Sequence, residues 1–377
     1  MNGATLPPKW RSAAILAGVA PESMSEMAAR EDREQGRKLL EWFDAQQRDL
    51  PWRKSRDPYP VWVSEVMLQQ TRVEAARPYF DRFLEAFPSV EALAAASEES
   101  VLSLWSGLGY YQRARRLHAA ARQIVANKGE FPTTTEGWLQ LPGVGRYTAA
   151  AVASIVFGAR EPAIDGNVMR VVARLLVLEE DPKKNAGFQA IETKARDLLD
   201  SERPGDSNQA IMEIGATICR PRKPLCSTCP LEEGCLATAT GEPDRYPLAG
   251  RKAPVSRHHR RLAVVEHGDR LLLFRRPPES KRLAGLWEFP WIEGCSEDDS
   301  DAAFARRYGG RWEVGPQKGR VNHSVTNRSF QIDVVQASLS ADEAVAEGPE
   351  AGWFCRSELA AVPVTGLVGK VLGVLDA

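Results

Sequence analysis

Four closely spaced cysteines restrict the possible folds of this chain more than any other feature. Cys219, Cys226, Cys229 and Cys235 are separated by six, two and five residues. This spacing lets four thiolates converge on one centre, as they do around a [4Fe-4S] cluster or a structural zinc ion. Zinc ribbons more often present two separated Cys-x-x-Cys pairs, so the uneven run favours iron–sulfur while leaving zinc open.

The first loop between these cysteines is basic. It contains Arg220, Arg222 and Lys223. A basic loop on a rigid metal centre predicts a contact with phosphate. A solvated charged surface loop explains the same residues.

Net charge and cysteine usage narrow the class of protein. The chain of 377 residues has 49 basic and 50 acidic residues, so its net charge is -1 and any basic surface must be local. Only Cys295 and Cys355 lie outside the cluster, which indicates a reducing compartment. The apolar run at residues 13–20 resembles a short signal peptide but is brief, and a thiolate cluster argues against secretion. No segment reaches transmembrane length.

Periodicity divides the chain into a helical part and an α+β part. Helical spacing of apolar residues continues almost without interruption until a stretch rich in Gly, Pro and basic residues, which predicts a linker. Beyond it, residues 262–265 and 271–274 flank a His-Gly-Asp turn and predict a β-hairpin, with further strands at 330–335 and 353–355 and a helix at 368–375. The predicted limits are 1–34 for an N-terminal extension, 35–236 for the helical domain, 237–260 for the basic linker and 261–377 for the C-terminal domain.

A glycine-rich connector marks a candidate anion site. Residues 141–147 read Leu-Pro-Gly-Val-Gly-Arg-Tyr and precede an apolar helix predicted over 148–157. Gly143 and Gly145 leave backbone N–H groups uncovered at the start of that helix, where the helix dipole also favours an anion. An ordinary tight turn between helices is the alternative.

Glu65 has the surroundings of a general acid. On a helix its neighbours three and four residues away are Val61, Trp62, Leu68 and Gln69, so none of these positions carries a cation to pair with it. An apolar environment disfavours the carboxylate, which should raise the pKa of Glu65 and keep it protonated near neutrality. A surface glutamate would instead have polar or basic neighbours.

Asp165 is a candidate partner carboxylate. It precedes Gly-Asn-Val and a helical run through Arg174, so it is also a good N-cap, a role that contributes about 1 kcal/mol without catalysis. A carboxylate held ionised there can stabilise a nearby positive charge. Together with Glu65, it would form a pair of carboxyls whose pKa values are pushed apart, as cleavage of a glycosidic bond requires.

Several motifs in combination resemble one family. The 141–147 connector, the Asp-Gly-Asn-Val segment at 165–168 and the cysteine spacing are similar to the helix-hairpin-helix DNA glycosylases that carry an iron–sulfur cluster. Leu-Pro-Trp-Arg at 50–53, Val-Ser-Glu-Val-Met-Leu-Gln-Gln-Thr at 63–71 and Gly-Leu-Gly-Tyr-Tyr at 107–111 resemble the MutY adenine DNA glycosylases in particular. The match covers the predicted helical domain.

The resemblance implies a fold and a reaction. The fold is an all-α helix-hairpin-helix glycosylase domain with a [4Fe-4S] cluster loop, followed by a C-terminal α+β Nudix-like domain. The reaction is hydrolysis of the N-glycosidic bond of adenine mispaired with 8-oxoguanine or guanine. By resemblance Glu65 protonates the departing adenine, Asp165 stabilises the cationic sugar and Asn167 supports that carboxylate. Tyr147 stands where the endonuclease III group has a Schiff-base lysine, which implies a monofunctional glycosylase.

The same resemblance implies contacts with DNA. Because a base inside a duplex cannot be reached, the adenine must be flipped out. Gln70 is expected to enter the stack, Thr71 to contact the orphan base and Tyr110 to wedge beside it, although core packing also explains this tyrosine and Tyr111. The remaining implied positions are Arg48, Trp52, Arg53, Leu68, Leu108, Gln209 and Thr326 for the substrate, and Gly143, Gly145 and Arg146 for the DNA backbone. Hydrophobic core is an alternative for Trp52 and Leu68.

The C-terminal domain looks like the Nudix-related domain that recognises 8-oxoguanine in MutY proteins, through Arg-Pro-Pro at 276–278 and Gly-Leu-Trp-Glu-Phe-Pro at 285–290. It lacks the acidic Nudix box, so pyrophosphatase activity is not expected. The family loop His-x-Phe-Ser-His here reads His-Ser-Val-Thr-Asn: Thr326 keeps a hydroxyl, Val325 replaces the aromatic wedge and Asn327 replaces an imidazole. Preference for 8-oxoguanine over guanine stays open.

Two other interpretations stay open. An endonuclease III-like pyrimidine glycosylase is disfavoured by Tyr147 and the Gln-Gln-Thr run at 69–71. A catalytically silent iron–sulfur protein that binds DNA is disfavoured by the retention of Glu65 and Asp165. The expected partner is double-stranded DNA containing an A:8-oxoguanine or A:G mispair, bound by a monomer without membrane association. The expected location is the bacterial cytoplasm at the nucleoid, or the nucleus or an organelle of a eukaryote.

Overall fold

The chain forms two compact units. One comprises Met1–Gln69 and Lys128–Lys252, and the other comprises Gln70–Asn127 and Ala253–Ala377. The second unit therefore takes part of the helical segment that the sequence assigns to a single domain at 35–236, and the predicted domain limits stay a prediction. The computed structural model describes residues 21–248, 254–280, 282–294, 299–325, 327–340, 348 and 350–376.

Helices make up most of residues 21–240, as the periodicity predicts. None of the helices within the described ranges is long and apolar enough to cross a membrane. In chain order the helices are α1 (Pro21–Gln46), α2 (Pro58–Leu68), α3 (Val73–Ala86), α4 (Val90–Ala95), α5 (Glu98–Leu104), α6 (Gln112–Ala126), α7 (Thr135–Leu139), α8 (Arg146–Phe157), α9 (Gly166–Leu176), α10 (Asn185–Asp197), α11 (Pro204–Thr217), α12 (Leu236–Ala239), α13 (Ser300–Tyr308) and α14 (Gly366–Leu375).

The core of the first unit forms around the amphipathic helix α9. Val168, Val171, Val172 and Leu175 are buried at helical spacing and belong to one apolar cluster with side chains of α1, α10 and α11. Burying each aliphatic side chain contributes about 1.5–3 kcal/mol. This face fixes the start of α9, where Asp165 lies.

Helix α8 is buried along almost its whole length. Residues 148–155 are all buried, and four of them are alanines that allow close approach of α2, α7 and α11. Gly145 is the N-cap of α8, and the helix ends at Gly158, whose φ of 73° is the left-handed conformation that glycine adopts without strain. The tight packing of α8 places Tyr147, at its start, beside α2.

The second unit contains helices α3 to α6 and a seven-stranded sheet. Strand β1 pairs with β2 as the predicted antiparallel hairpin and with β6 in parallel, and the sheet path is β3-β2-β1-β6-β5, with β4 on β1 and β7 on β2. The first residues of β1 lie inside the segment predicted as linker. The strands are β1 (Ser256–His267), β2 (Arg270–Arg275), β3 (Trp287–Glu288), β4 (Trp291–Glu293), β5 (Trp312–Val325), β6 (Arg328–Leu339) and β7 (Ala351–Cys355).

Candidate active site

Glu65 lies on α2 with only 6% of its surface exposed. Its Oε2 accepts a hydrogen bond of 2.5 Å from the hydroxyl of Tyr147. Burial raises the pKa of Glu65 to about 7, and the charge of Asp165 also raises it, whereas the hydrogen bond from Tyr147 and the charge of Arg53 lower it. The prediction of a carboxyl that is protonated near neutrality is therefore confirmed in direction and in cause.

The pKa of Tyr147 responds to the charges of both carboxyls. Burial raises the pKa of its phenol well above the usual value, and the charges of Glu65 and Asp165 raise it further. The phenol therefore stays protonated and donates to Glu65. The charge of Asp165 acts on both Glu65 and Tyr147, so the three groups lie near one another within the first unit.

Asp165 is the N-cap of α9, as predicted. Its Oδ1 accepts from the backbone N–H of Asn167 at 2.8 Å and of Val168 at 2.7 Å, and its Oδ2 accepts from Nδ2 of Asn167 at 2.7 Å. Burial nevertheless raises the pKa of Asp165, and these hydrogen bonds only oppose that rise. The pKa values of both carboxyls therefore rise, because burial removes both from water. The direction at Asp165 is opposite to that expected of a carboxylate held ionised by its cap, whereas the separation of the two pKa values stays a prediction.

Arg170 links this carboxylate cluster to the cysteine loop. Its Nη2 donates to Oδ1 of Asn167 at 2.9 Å and to the Gly215 carbonyl at 2.8 Å, while its Nε donates to the Cys219 carbonyl at 2.8 Å. Gly215 packs so closely that an added Cβ would lie 2.5 Å from Cβ of Asn167. Arg170 is not among the predicted site residues, although its position one turn after Asn167 on α9 is a usable signal.

A further buried carboxylate, that of Glu213, is also absent from the predicted site residues. Arg48 Nε donates to its Oε1 at 2.6 Å and Arg53 Nη2 to its Oε2 at 2.8 Å, while Arg53 Nε donates to Oε1 of Gln209 at 3.2 Å. Burial alone would raise the pKa of Glu213, but the hydrogen bonds from the two arginines lower it. Three predicted site residues, Arg48, Arg53 and Gln209, thus meet around one carboxylate. Its position four residues after Gln209 on α11 was the available signal.

The four cysteines lie near one another in the first unit. Cys219 Sγ accepts from Nη1 of Arg174 at 3.3 Å, and Cys235 Sγ lies 3.7 Å from the carbonyl oxygen of the same residue. Burial raises the pKa of Cys229 to about 12, and the charges of the other three cysteines raise it further, so all four are near one another. Across the described ranges, no three His, Cys, Asp or Glu side chains are arranged to hold a metal ion.

Comparisons with known proteins identify the family. The model of the HhH-GPD superfamily base excision DNA repair protein matches residues 63–196, and a NUDIX domain model matches residues 261–373. The chain is 36% identical over 393 residues to the adenine DNA glycosylase of Mus musculus, covering 88% of this chain and 76% of the mouse protein. This chain belongs to the adenine DNA glycosylase family. It is a base-excision repair enzyme that hydrolyses N-glycosidic bonds, and the resemblance to MutY is confirmed.

Two further similarities agree with this assignment to the adenine DNA glycosylases. The Homo sapiens adenine DNA glycosylase is 35% identical over 399 residues, covering 89% of this chain and 73% of the human protein. A solved structure of a thermostable thymine-DNA glycosylase is 28% identical with a TM-score of 0.51, covering 56% of this chain and 98% of that one. The predicted combination of a helical glycosylase domain with a Nudix-like domain is confirmed.

In this adenine DNA glycosylase the residues predicted to enter or contact the base stack, Gln70, Thr71 and Tyr110, belong to the second unit, whereas Glu65 belongs to the first. Gln70 and Tyr110 have φ values of 60° and 51°, which are strained for residues other than glycine. Tyr110 is 47% exposed, whereas Leu108 and Tyr111 are buried. Core packing, the alternative for both tyrosines, therefore applies to Tyr111 only. Thr71 is half-buried, and its Oγ1 accepts from Arg113 at 3.2 Å.

The remaining predicted residues divide between surface and core. Gly143 (φ 77°), Gly145 and Arg146 are exposed, and the N-cap of α8, Gly145, provides no side-chain cap. Trp52 is buried and Leu68 half-buried. The three cations of the cysteine loop, Arg220, Arg222 and Lys223, are exposed. Thr326 and Cys295 lie outside the described residues.

Proposed function

We propose that this glycosylase acts as a monomer on double-stranded DNA and removes adenine mispaired with 8-oxoguanine or guanine. One observation carries the proposal: Glu65 is buried, burial raises its pKa to about 7, and it lies near a second carboxyl, that of Asp165. A general acid needs a pKa near the working pH. We place its activity where DNA is found, in the bacterial cytoplasm or in a eukaryotic nucleus or organelle.

The proposed reaction assigns one task to each carboxyl. Glu65 gives its proton to the ring of the flipped adenine, at N7, so that the electrons of the breaking C1′–N9 bond leave with a neutral base. Asp165 stabilises the cationic sugar, and Asn167 holds that carboxylate through its side-chain amide. Water then adds at C1′, with the Glu65 carboxylate positioned to assist. This carboxylate role requires Asp165 to be ionised, which its three hydrogen bonds favour against burial.

The absence of an amine at position 147 supports a monofunctional enzyme. A Schiff base at C1′ needs a nucleophilic amine, and Tyr147 presents a phenol whose raised pKa keeps it protonated. Its proposed task is to orient the Glu65 carboxyl. Strand cleavage should therefore require added alkali.

The proposed DNA contacts follow from exposure and backbone geometry. Gln70 and Tyr110 hold strained conformations, as expected of residues fixed for insertion into a base stack. Gly143, Gly145 and Arg146 at the uncapped start of α8 would bind a backbone phosphate. The basic residues of the cysteine loop, Arg220, Arg222 and Lys223, are exposed, so they would contact a further phosphate.

We further propose that Cys219, Cys226, Cys229 and Cys235 hold a [4Fe-4S] cluster. Four thiols that lie near one another are the donor set such a cluster needs, and the endonuclease III and MutY families generally bind one. When bound, the cluster supplies a rigid scaffold for the loop. Arg170 then joins that scaffold to Asn167 and so to the catalytic carboxylate. Iron and sulfide analysis of purified protein, with Cys229→Ala as the cluster-deficient comparison, tests this assignment.

Recognition of the opposite base is assigned to the hairpin between β5 and β6. Val325 packs against the core of the C-terminal domain, in keeping with the loss of an aromatic wedge there. Burial lowers the pKa of His323, which favours the neutral imidazole. Adenine excision opposite either purine follows from the Glu65 cluster, and the hairpin sets the ratio between the two substrates.

A panel of duplexes tests the proposal. Wild-type protein is incubated with adenine opposite 8-oxoguanine, adenine opposite guanine, thymine opposite guanine and thymine glycol, and alkali then reveals abasic sites. The thymine duplexes are included because a solved relative at 28% identity is a thymine-DNA glycosylase. Alkali-dependent cleavage at adenine supports the proposal. Cleavage at thymine or thymine glycol instead, or without alkali, contradicts it.

A further inference from the structure

Tyr111 joins the loop that presents Tyr110 to the C-terminal part of the second unit. Its hydroxyl accepts from the Gly107 N–H at 3.2 Å and donates to the Val364 carbonyl at 2.8 Å. Ser106 Oγ donates to the same carbonyl at 3.2 Å. One buried oxygen thus contacts the glycine turn and a residue 253 positions away in the chain.

The acceptor of this hydrogen bond is fixed by the core of the C-terminal part. Trp287 N–H donates to the Pro363 carbonyl at 2.9 Å, and Thr365 N–H donates to the Trp287 carbonyl at 2.9 Å, so Val364 and Trp287 form a parallel β-bridge. Trp287 is buried in that core and belongs to β3. A carbonyl held between two backbone hydrogen bonds is a rigid point of attachment.

The loop itself has little freedom. Gly107 has a φ of 93°, and an added Cβ would lie 2.3 Å from the hydroxyl of Tyr79. Trp105 Nε1 donates to the Gly109 carbonyl at 3.1 Å. Tyr110 holds a φ of 51°, a conformation that persists only where the surroundings enforce it. The Tyr111 hydroxyl belongs to those surroundings, because it bonds the backbone three residues before Tyr110.

We propose that Tyr111 is a positioning residue that ties the conformation of the Gly107–Tyr111 loop to the C-terminal domain. Its hydroxyl keeps Tyr110 in the strained, exposed geometry that inserts beside the orphan base. The domain proposed to recognise the opposite base thereby also stabilises the conformation in which Tyr110 inserts into DNA. The inference rests on the proposed function, because it takes Tyr110 to be the wedge in DNA.

The test compares Tyr111→Phe with a matched control. Phenylalanine keeps the buried ring and removes only the bridging oxygen. Ser103→Ala removes a hydrogen bond of 2.7 Å to the Ala361 carbonyl, which joins the same two segments but does not touch the loop. Base extrusion is followed by the fluorescence of 2-aminopurine next to a non-hydrolysable 2′-fluoro-adenosine opposite guanine. Single-turnover excision of adenine opposite guanine and the melting temperature are measured on the same full-length proteins.

The proposal expects Tyr111→Phe to lower both the extruded fraction and the single-turnover rate by about tenfold, since it leaves the Gly107 N–H without its partner. Ser103→Ala should match wild type in both measurements, and both variants should lose a similar, small amount of melting temperature. Extrusion by Tyr111→Phe equal to wild type overturns the proposal. An equal loss in both variants overturns it too, because general docking of the segments would then explain the effect.

Failure of this proposal and failure of the proposed function are distinguishable. Extrusion is read without any chemistry, so a wild type that extrudes the base but does not excise adenine refutes the proposed function alone. The fluorescence of the variants still judges Tyr111 in that case. A wild type that extrudes no base refutes both.

Discussion

Replacing Tyr147 with phenylalanine should move the pH dependence of adenine excision upward. In the wild type, burial raises the pKa of Glu65 to about 7, and the Tyr147 hydroxyl, 2.5 Å from Oε2, partly offsets that rise by stabilising the carboxylate. Without the hydroxyl, burial and the charge of Asp165 act against ionisation with less opposition. The general acid then stays protonated to higher pH, so the alkaline limb of the rate profile moves up.

The size of the shift follows from the hydrogen bond. A hydrogen bond to a charged group contributes about 1.5–3 kcal/mol. One pKa unit corresponds to about 1.4 kcal/mol, so its complete loss would raise the pKa of Glu65 by about 1–2 units. Water entering the space left by the hydroxyl restores part of the solvation. We therefore expect a shift of about one unit.

The assay is single-turnover excision of adenine opposite guanine, measured from pH 5 to 9. Tyr246→Phe is a matched control, because the Tyr246 hydroxyl also donates to a glutamate, Oε1 of Glu179, at 2.8 Å, outside the cluster. Its profile should overlay that of wild type. An alkaline limb of Tyr147→Phe that stays in place or moves to lower pH would refute the assignment of Glu65 as the acid limiting the rate.

Three further outcomes are expected. Because the folded pKa of Glu65 is raised from 4.5 to about 7, its favourable contribution is present below pH 4.5 and lost through pH 7. Glu65→Gln, which does not titrate, should therefore gain up to roughly 3 kcal/mol of unfolding free energy relative to wild type as the pH rises from 5 to 8, as measured by urea denaturation at both pH values. The same variant should abolish excision, because it removes the proposed general acid. Glu213→Ala leaves its two arginine partners in a largely buried site and should cost about 3–5 kcal/mol in the same assay, whereas a loss below 1 kcal/mol contradicts a structural ion pair. Gly215→Ala should displace Asn167 and lower both the melting temperature and the excision rate. Gly205→Ala, at the other end of α11, would clash with the backbone of α8 and should lower only the melting temperature. Equal excision rates in the two variants would argue against positioning of Asn167 by Gly215.

Local features of this protein could be predicted because they depend on neighbours in the chain. The N-cap at Asp165 needs only a short polar side chain before a helical run, and the short spacing of the cysteines predicts that they lie near one another. The apolar neighbours of Glu65 on its own helix indicated the direction of its pKa shift. The hairpin of β1 and β2 follows from two apolar runs around a turn.

Contacts between distant segments depended on the fold. Tyr147 meets Glu65 across 82 positions, Arg48 meets Glu213 across 165 and Tyr111 meets Val364 across 253. Nothing in local periodicity specifies which side chains such distant segments bring together.

The pKa of Asp165 shows the difference between what neighbouring residues determine and what the tertiary structure determines. Its N-cap hydrogen bonds are local and lower the pKa, as the sequence led us to expect, but burial by the packed helices outweighs them. Burial is a property of the whole unit, because it depends on every segment that excludes water from the site. Residue types and their spacing thus specified the chemistry available to this glycosylase, whereas packing determined the pKa of each buried carboxyl and the partner of each hydrogen-bond donor.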